Sequence, residues 1–283
     1  MRKITKKEID YIAMGSTVLG TGGGGDPYVG KLLAKGAIDR YGEVSLIKAE
    51  ELDDDALVVP IAAFGAPMIL VEKLFSGTEF IKAFEMMELY LGRKIDAVMP
   101  AEAGGLNGVI PFAIAAQKQI PLVDADGMGR AFPRLEMVTF TLHGISVSPI
   151  TQADEKGNKN VYHTINNEWG ETLVGATAIQ MGGSCAIGCY PMTGSEVKKA
   201  AVHHIVSYAQ TLGEAILDAK DKGLNPLDAL VEKADAIKLF TGKISNITIK
   251  TEGRWNKGVC EIIGLDEDTG SQVVLDFQNE FLM

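Results

Sequence analysis

The sequence has little of what usually marks a function at first reading. Its 283 residues include only 3 cysteines and 4 histidines. An odd, small number of cysteines does not make a disulfide framework and fits a reducing compartment. No apolar stretch reaches the roughly 20 residues needed to cross a bilayer; the run from Ala56 to Phe64 is typical and far shorter. The start, Met1-Arg2-Lys3-Ile4-Thr5-Lys6-Lys7-Glu8, lacks an apolar export region and a small-residue cleavage site, so the cytoplasm is the expected location. Positive charge is also short: 27 Lys and Arg face 37 Asp and Glu, for a net charge of −10 and a pI near 5.0. Basic residues occur singly or in short clusters such as Arg2-Lys3 and Lys6-Lys7. Such a field repels phosphate backbones and anionic lipid, so neither nucleic acid nor a membrane surface is an expected partner.

What is present is the composition of a folded chain, 46% hydrophobic and 23% charged. Its length favours two domains or one large α/β unit. Periodicity predicts helices over 6–18, 27–35, 78–91 and 109–117, alternating with β runs at 43–49, 57–62, 95–99 and 121–124. The strands read as continuous apolar runs. They predict a mostly parallel sheet covered on both faces, with ligands expected at the carboxyl ends of its strands. Beyond Asp126 the texture changes. Residues 136–142 and 146–151 look extended, and Asp154-Glu155-Lys156-Gly157-Asn158 is a turn that closes a hairpin onto 160–163. A helix is expected over 167–181, a buried strand over 184–190, and the longest helix over 195–222, capped at Gly194-Ser195. Three β runs follow, at 244–250, 258–265 and 272–281. The expected architecture is therefore an α/β domain over 1–165 carrying glycine-rich and acidic loops, then an α+β, β-rich domain over 166–283. The chain stops inside an apolar β run. Such an edge calls for further chain or for another subunit, and a homo-oligomer is expected.

Three segments carry the candidate chemistry. In Leu19-Gly20-Thr21-Gly22-Gly23-Gly24-Gly25-Asp26-Pro27, consecutive glycines permit positive φ and close backbone approach, so N–H groups could cradle an anion or a planar polar ligand. The loop follows a helix rather than a strand, and no Lys-Ser/Thr follows it, so it is neither the dinucleotide fingerprint nor a P-loop. The plainer reading is an interhelical turn, with Asp26 as N-cap and Pro27 at the first helical position. The second segment, Met99 to Gly108, follows a strand. It would bring Glu102 to the sheet edge beside Gly104, Gly105 and Asn107, as a base or as an acceptor for a ligand N–H, or else Asn107 simply caps a helix. The third, Val123 to Glu136, holds Asp124, Asp126, Arg130 and Arg134. Two carboxylates on one side could split into an acid and a base or hold Mg²⁺ through oxygen ligands, and the arginines could dock a substrate carboxylate; the alternative is an internal salt-bridge network. No cofactor is expected beyond such a divalent ion.

Cys185 and Cys189 lie roughly 13 Å apart if the segment is a strand, too far to share a metal ion, and read as buried apolar residues. His203 and His204, adjacent in a helix, would point about 100° apart, which is poor for a shared ligand. His143 and His163 stand alone, and no Ser-His-Asp order or nucleophile elbow is visible.

Taken together, 19–27, Ala63-Phe64-Gly65-Ala66-Pro67, Pro100-Ala101-Glu102-Ala103-Gly104-Gly105, Asp124 to Pro133 and Tyr190-Pro191-Met192-Thr193-Gly194 resemble the S-methyl-thiohydantoin desulfurase family, over most of the chain. Members of that family continue into a further β-rich stretch. The resemblance implies hydrolytic removal of sulfur, as thiol, from C2 of a five-membered thiohydantoin ring. Site logic would then have Asp124 or Asp126 activate water and Glu102 serve a ring nitrogen. The loop residues Thr21, Gly22, Gly23, Gly24, Gly25 and Asp26, with Gly104, Gly105 and Asn107, would bind the ring, and Arg130 or Arg134 a side-chain carboxylate. The competing reading is a non-catalytic accessory subunit of a hydantoinase- or oxoprolinase-type enzyme.

Overall fold

The computed structural model describes residues 1–65, 69, 73, 75–252 and 255–281. Ala66 and Pro67 of the second resemblance motif lie outside them. Nine strands among these residues form a mixed sheet in the order β1-β2-β5-β4-β3-β9-β7-β8, with β10 paired to β3. They span β1 (Arg2–Ile4), β2 (Val44–Ile47), β3 (Leu57–Gly65), β4 (Ala97–Pro100), β5 (Leu122–Val123), β7 (Ile150–Ala153), β8 (Lys159–Tyr162), β9 (Ser184–Gly188) and β10 (Met192–Thr193). The run β2-β5-β4-β3 is parallel, and the strands flanking it pair antiparallel. The expected α/β class is what is found. The hairpin closing through Asp154 forms as β7 and β8.

Strand β3 shows why the sheet needs two covers. Successive side chains on a strand point to opposite faces. Leu57, Val59, Ile61 and Ala63 join one core, and Val58, Ala62 and Phe64 join the other. The first core is closed by α1 (Lys6–Gly20), α2 (Pro27–Tyr41), α3 (Thr78–Leu91) and α4 (Ile110–Lys118), through Ile9, Ile12, Ile38, Phe84 and Ile114. The second is closed by α6 (Asn167–Gln180) and α7 (Gly194–Ala200), through Val174, Ala178 and Val197, with Tyr190 beneath them.

Local signals set the helix ends. Thr5 and Glu8 form a capping box at the start of α1. Asp26 accepts the Tyr28 N–H at 2.8 Å, and Pro27 fills the first position of α2, so the capping reading of Asp26 holds.

Three expectations are corrected. The predicted helix over 195–222 is broken into α7, β11 (Val202–His203) and α8 (Ile205–Asp221). Val202 and His203 pair antiparallel with Asp126 and Ala125 of β6 (Ala125–Asp126), and His204 adopts a left-handed conformation, φ 62°. Strand pairing there overrides helical propensity. The cap of α7 is Thr193, boxed with Glu196, rather than Gly194-Ser195. In the expected extended stretch 136–142, Thr139–Leu142 instead form one helical turn, α5.

Strand β9, from the second half of the chain, lies between β3 and β7, so the sheet draws on both sides of the 165/166 division. The chain then passes through α9 (Pro226–Lys233) into a separate antiparallel sheet of β12 (Gly242–Glu252), β13 (Trp255–Gly264), β14 (Gln272–Gln278) and β15 (Glu280–Phe281). Among the described residues no helix is long and apolar enough to cross a membrane.

Candidate active site

Three loops meet at the carboxyl edge of the parallel strands. They interlock backbone to backbone: Leu106 N–H donates to Gly24 O at 2.8 Å, Ala131 N–H to Leu19 O at 2.9 Å, and Gly127 N–H to Ala101 O at 3.0 Å. Gly24 (φ 71°) and Gly105 (φ 56°) touch so closely that a Cβ on Gly105 would sit 2.5 Å from the Gly24 carbonyl carbon. The glycines therefore serve contact between loops as well as turning. Beside them opens a narrow cleft, with about 70 Å³ open to the centre of a water-sized sphere, whose lining includes Gly24, Gly25, Glu102, Asn107, Arg134 and Glu171, with Glu280 from β15.

Glu102 forms part of the cleft wall yet is only 6% exposed. Its Oε1 accepts from Asn107 Nδ2 at 2.7 Å and its Oε2 from Phe132 N–H at 2.9 Å. Asn107 is itself clamped to β3, accepting Ala63 N–H at 2.7 Å and donating to Ala63 O at 3.2 Å. Burial pushes the Glu102 carboxyl up to about 8, and the nearby Glu280 and Asp126 carboxylates push it the same way. Glu280, also buried, is raised to about 7, again by burial, against the pull of the Arg130 guanidinium and the Gly24 N–H. Its Oε1 lies over Gly23, where a Cβ would come within 2.0 Å of it, and its Oε2 has no hydrogen-bond partner. Arg130 is held beside this pair by Thr21, whose Oγ1 accepts from it at 2.6 Å.

The other expected site residues divide. Arg134 stands at the cleft, paired with Glu136 at 2.6 Å. Gly22, Gly23, Gly104 and Gly105 build the loops behind the lining, and Asp26 caps α2. Asp124 and Asp126 do not converge. Asp124 accepts the Ser207 N–H at 2.9 Å and the Ser207 hydroxyl, at the first turn of α8. Asp126 accepts from Ala103 N–H at 2.7 Å, Gly129 N–H at 2.8 Å and Met128 N–H at 3.1 Å, so it braces the Glu102 loop from behind. Burial pushes Asp126 up to about 7 while those three donors favour its ionised form.

Sequence reasoning passed over Glu280 and Glu171. Glu171, inside α6, accepts the Leu135 N–H at 2.7 Å and fixes the third loop. Glu280 is an isolated acid at the end of an apolar β run, and nothing local to that run points toward loops about 145 residues away or more. Cys185 and Cys189 are buried, with burial raising both thiols to about 12, so neither presents a thiolate.

Two family models together span the chain: the S-Me-THD-like N-terminal domain matches 7–164 and the S-Me-THD-like C-terminal domain matches 165–283. A crystal structure of a protein from Chromobacterium violaceum superposes with a TM-score of 0.77 at 22% identity, covering 100% of this chain and 77% of that one. It shares the fold. No curated protein matches the chain.

Proposed function

The chain belongs to the S-Me-THD-like family, and on that premise we propose that it hydrolytically removes methanethiol from C2 of an S-methyl-thiohydantoin or a closely related five-membered ring, with Glu102 and Glu280 moving the protons. The observation that carries this reading is a pair of buried carboxyls lining one cleft, both raised into the neutral range by burial, with the Glu280 charge adding to the rise at Glu102. Such a pair is poised to hold one proton between its members near pH 7, which supplies an acid and a base at once.

The balance of the reaction follows from that state. A water oxygen bonds to C2 and gives its proton to ionised Glu280, while protonated Glu102 donates to the ring nitrogen as the C2=N pair moves onto it. The hydroxyl proton of the tetrahedral intermediate then passes to Glu102 as C2=O forms. The C2–S bond breaks, and methanethiolate leaves with the proton held by Glu280. Hydantoin and methanethiol are the products, and both carboxyls return to their starting states. Asn107 and the Phe132 N–H orient Glu102, and Arg134 at the cleft is suited to a carboxylate on the ring substituent. Asp126 positions the loop rather than touching substrate in this reading.

The test is incubation of the chain with a panel of S-methyl-thiohydantoins, reading methanethiol with a thiol-reactive dye and hydantoin by mass. Release by the wild type and its collapse in Glu102→Gln support the proposal; a Glu102→Gln variant that releases thiol at the wild-type rate overturns it. One observation favours the accessory-subunit reading instead, namely that the glycine loops pair backbone to backbone with each other. Turnover that arises only when a hydantoinase-type protein is added would select it. A homo-oligomer belongs to the proposal as well, since exposed Ile244, Ile247, Ile249 and Val274 on the C-terminal sheet offer apolar surface to bury, and sedimentation reads it.

A further inference from the structure

We propose that Glu50, His203 and His204 form a binding site for a divalent transition-metal cation of the zinc type, with Asp124 orienting His204 from behind. None of the three lines the cleft, so the site is separate from the proposed chemistry. In an unbroken helix two adjacent histidines would diverge. Here the chain leaves β11 at His203 and turns through the left-handed His204 before α8 begins. A left-handed non-glycine residue is uncommon, and this one brings both rings to the same carboxylate. His203 Nδ1 is 3.0 Å and His204 Nε2 3.8 Å from Glu50 Oε1. One ligand atom from each of the three residues lies within 4.8 Å of the others. Donors about 2.0–2.1 Å from a tetrahedral ion are roughly 3.4 Å apart, so small side-chain rotations suffice to close the set.

The second ring nitrogen of His204 carries the stronger argument. Its Nδ1 faces Asp124 Oδ2 at 3.9 Å, and Asp124 is anchored by the Ser207 N–H and hydroxyl. A carboxylate behind a histidine whose other nitrogen faces a ligand set is the arrangement that fixes tautomer and ring direction in metal centres. A simple surface ion pair would account for His203 and Glu50. It would not require a second imidazole on the same oxygen, itself backed by a buried acid. Two imidazoles and one carboxylate suit zinc, cobalt or nickel better than magnesium, and three protein ligands leave a position open toward solvent.

The experiment is calorimetric titration of the full chain, stripped with EDTA and then freed of it, with zinc chloride, paired with cobalt(II) absorption in the visible. Expected is saturable binding of one ion per chain, a tetrahedral-type cobalt spectrum, and at least a hundredfold loss of affinity in His203→Ala and Glu50→Gln. Asp124→Asn should weaken binding about tenfold. His204→Asn, which tolerates the left-handed backbone, guards against loss of fold, and His143→Ala should bind as the wild type does. Absence of saturable binding by the wild type overturns the proposal, as does wild-type affinity in both His203→Ala and His204→Asn.

Discussion

Strands β4 and β5 are parallel neighbours, and each delivers a buried acid just past its end: Glu102 after β4, Asp124 after β5. Their surroundings separate them. Asp124 meets the N–H and hydroxyl of Ser207 at the first turn of a helix, where orphan donors and the helix dipole both favour a negative charge. Glu102 meets one side-chain amide and one N–H, and a second carboxylate lies across the cleft. One acid is thereby tied to the start of a helix, and the other is held at the wall of a cleft beside a second carboxyl. Position at a sheet edge does not choose between these roles; the donors opposite do.

The largest effect that can break this contrast is on turnover. Glu102→Gln should lower methanethiol release by about 10²–10⁴, the usual effect of a positioned acid or base; the amide retains the volume and an acceptor for Phe132 but loses the one for Asn107 Nδ2, so a thermal melt of the variant accompanies the rate. Glu280→Gln should fall in the same range. Comparing single-turnover rates of the two variants and their double checks whether they act as a unit: a double variant no slower than either single fits a shared proton, whereas multiplied losses do not.

Stability against pH sharpens it next. The folded pKa of Glu102, about 8, lies above the unfolded value of 4.5, so the folded state holds the proton more tightly. That contribution is fully present below about pH 4.5 and is lost as pH rises through 8. Urea midpoints measured from pH 5 to 9 should therefore decline in the wild type and decline less in Glu102→Gln. Parallel curves would mean that Glu102 is ionised throughout.

Behind the acids, the glycine contact should respond as packing rather than chemistry. Gly105→Ala places a methyl group 2.5 Å from Gly24 backbone atoms at a positive φ, at a cost of about 3 kcal/mol. Denaturant unfolding reads the loss. A substitution tolerated without change would leave the loop contact looser than the geometry requires.

Much of this arrangement was legible in the sequence, and the limits have physical reasons. The apolar runs gave the parallel strands, and the Asp26-Pro27 pair and the bounds 78–91 came through because capping and helical period are local. Glu102 and Asn107, which line the cleft, stand out in the sequence because a glycine-rich strand-end loop is a local signal too. The break at Ala201–His204 was not legible, because it depends on pairing with β6, some 75 residues earlier in the chain. For the same reason Asp124 and Asp126 read as a pair: two residues apart in sequence, they receive donors from α8 on one side and from their own loop and Ala103 on the other. Glu280 depends on the fold of the C-terminal sheet back onto the Gly23 loop, which no spacing records.

The smallest expected effect is the most direct on Asp124. Asp124→Asn retains an acceptor for the Ser207 N–H but removes the charge from the first turn of α8, so it should cost about 1 kcal/mol while turnover per folded molecule stays close to the wild type. Thermal melts and initial rates on the same preparation separate the two quantities. If the melting temperature is unchanged and turnover falls by orders of magnitude, the water-activating base is Asp124, and Glu280 loses that role. If stability falls slightly and rates persist, the acid just past β5 acts as a cap on α8.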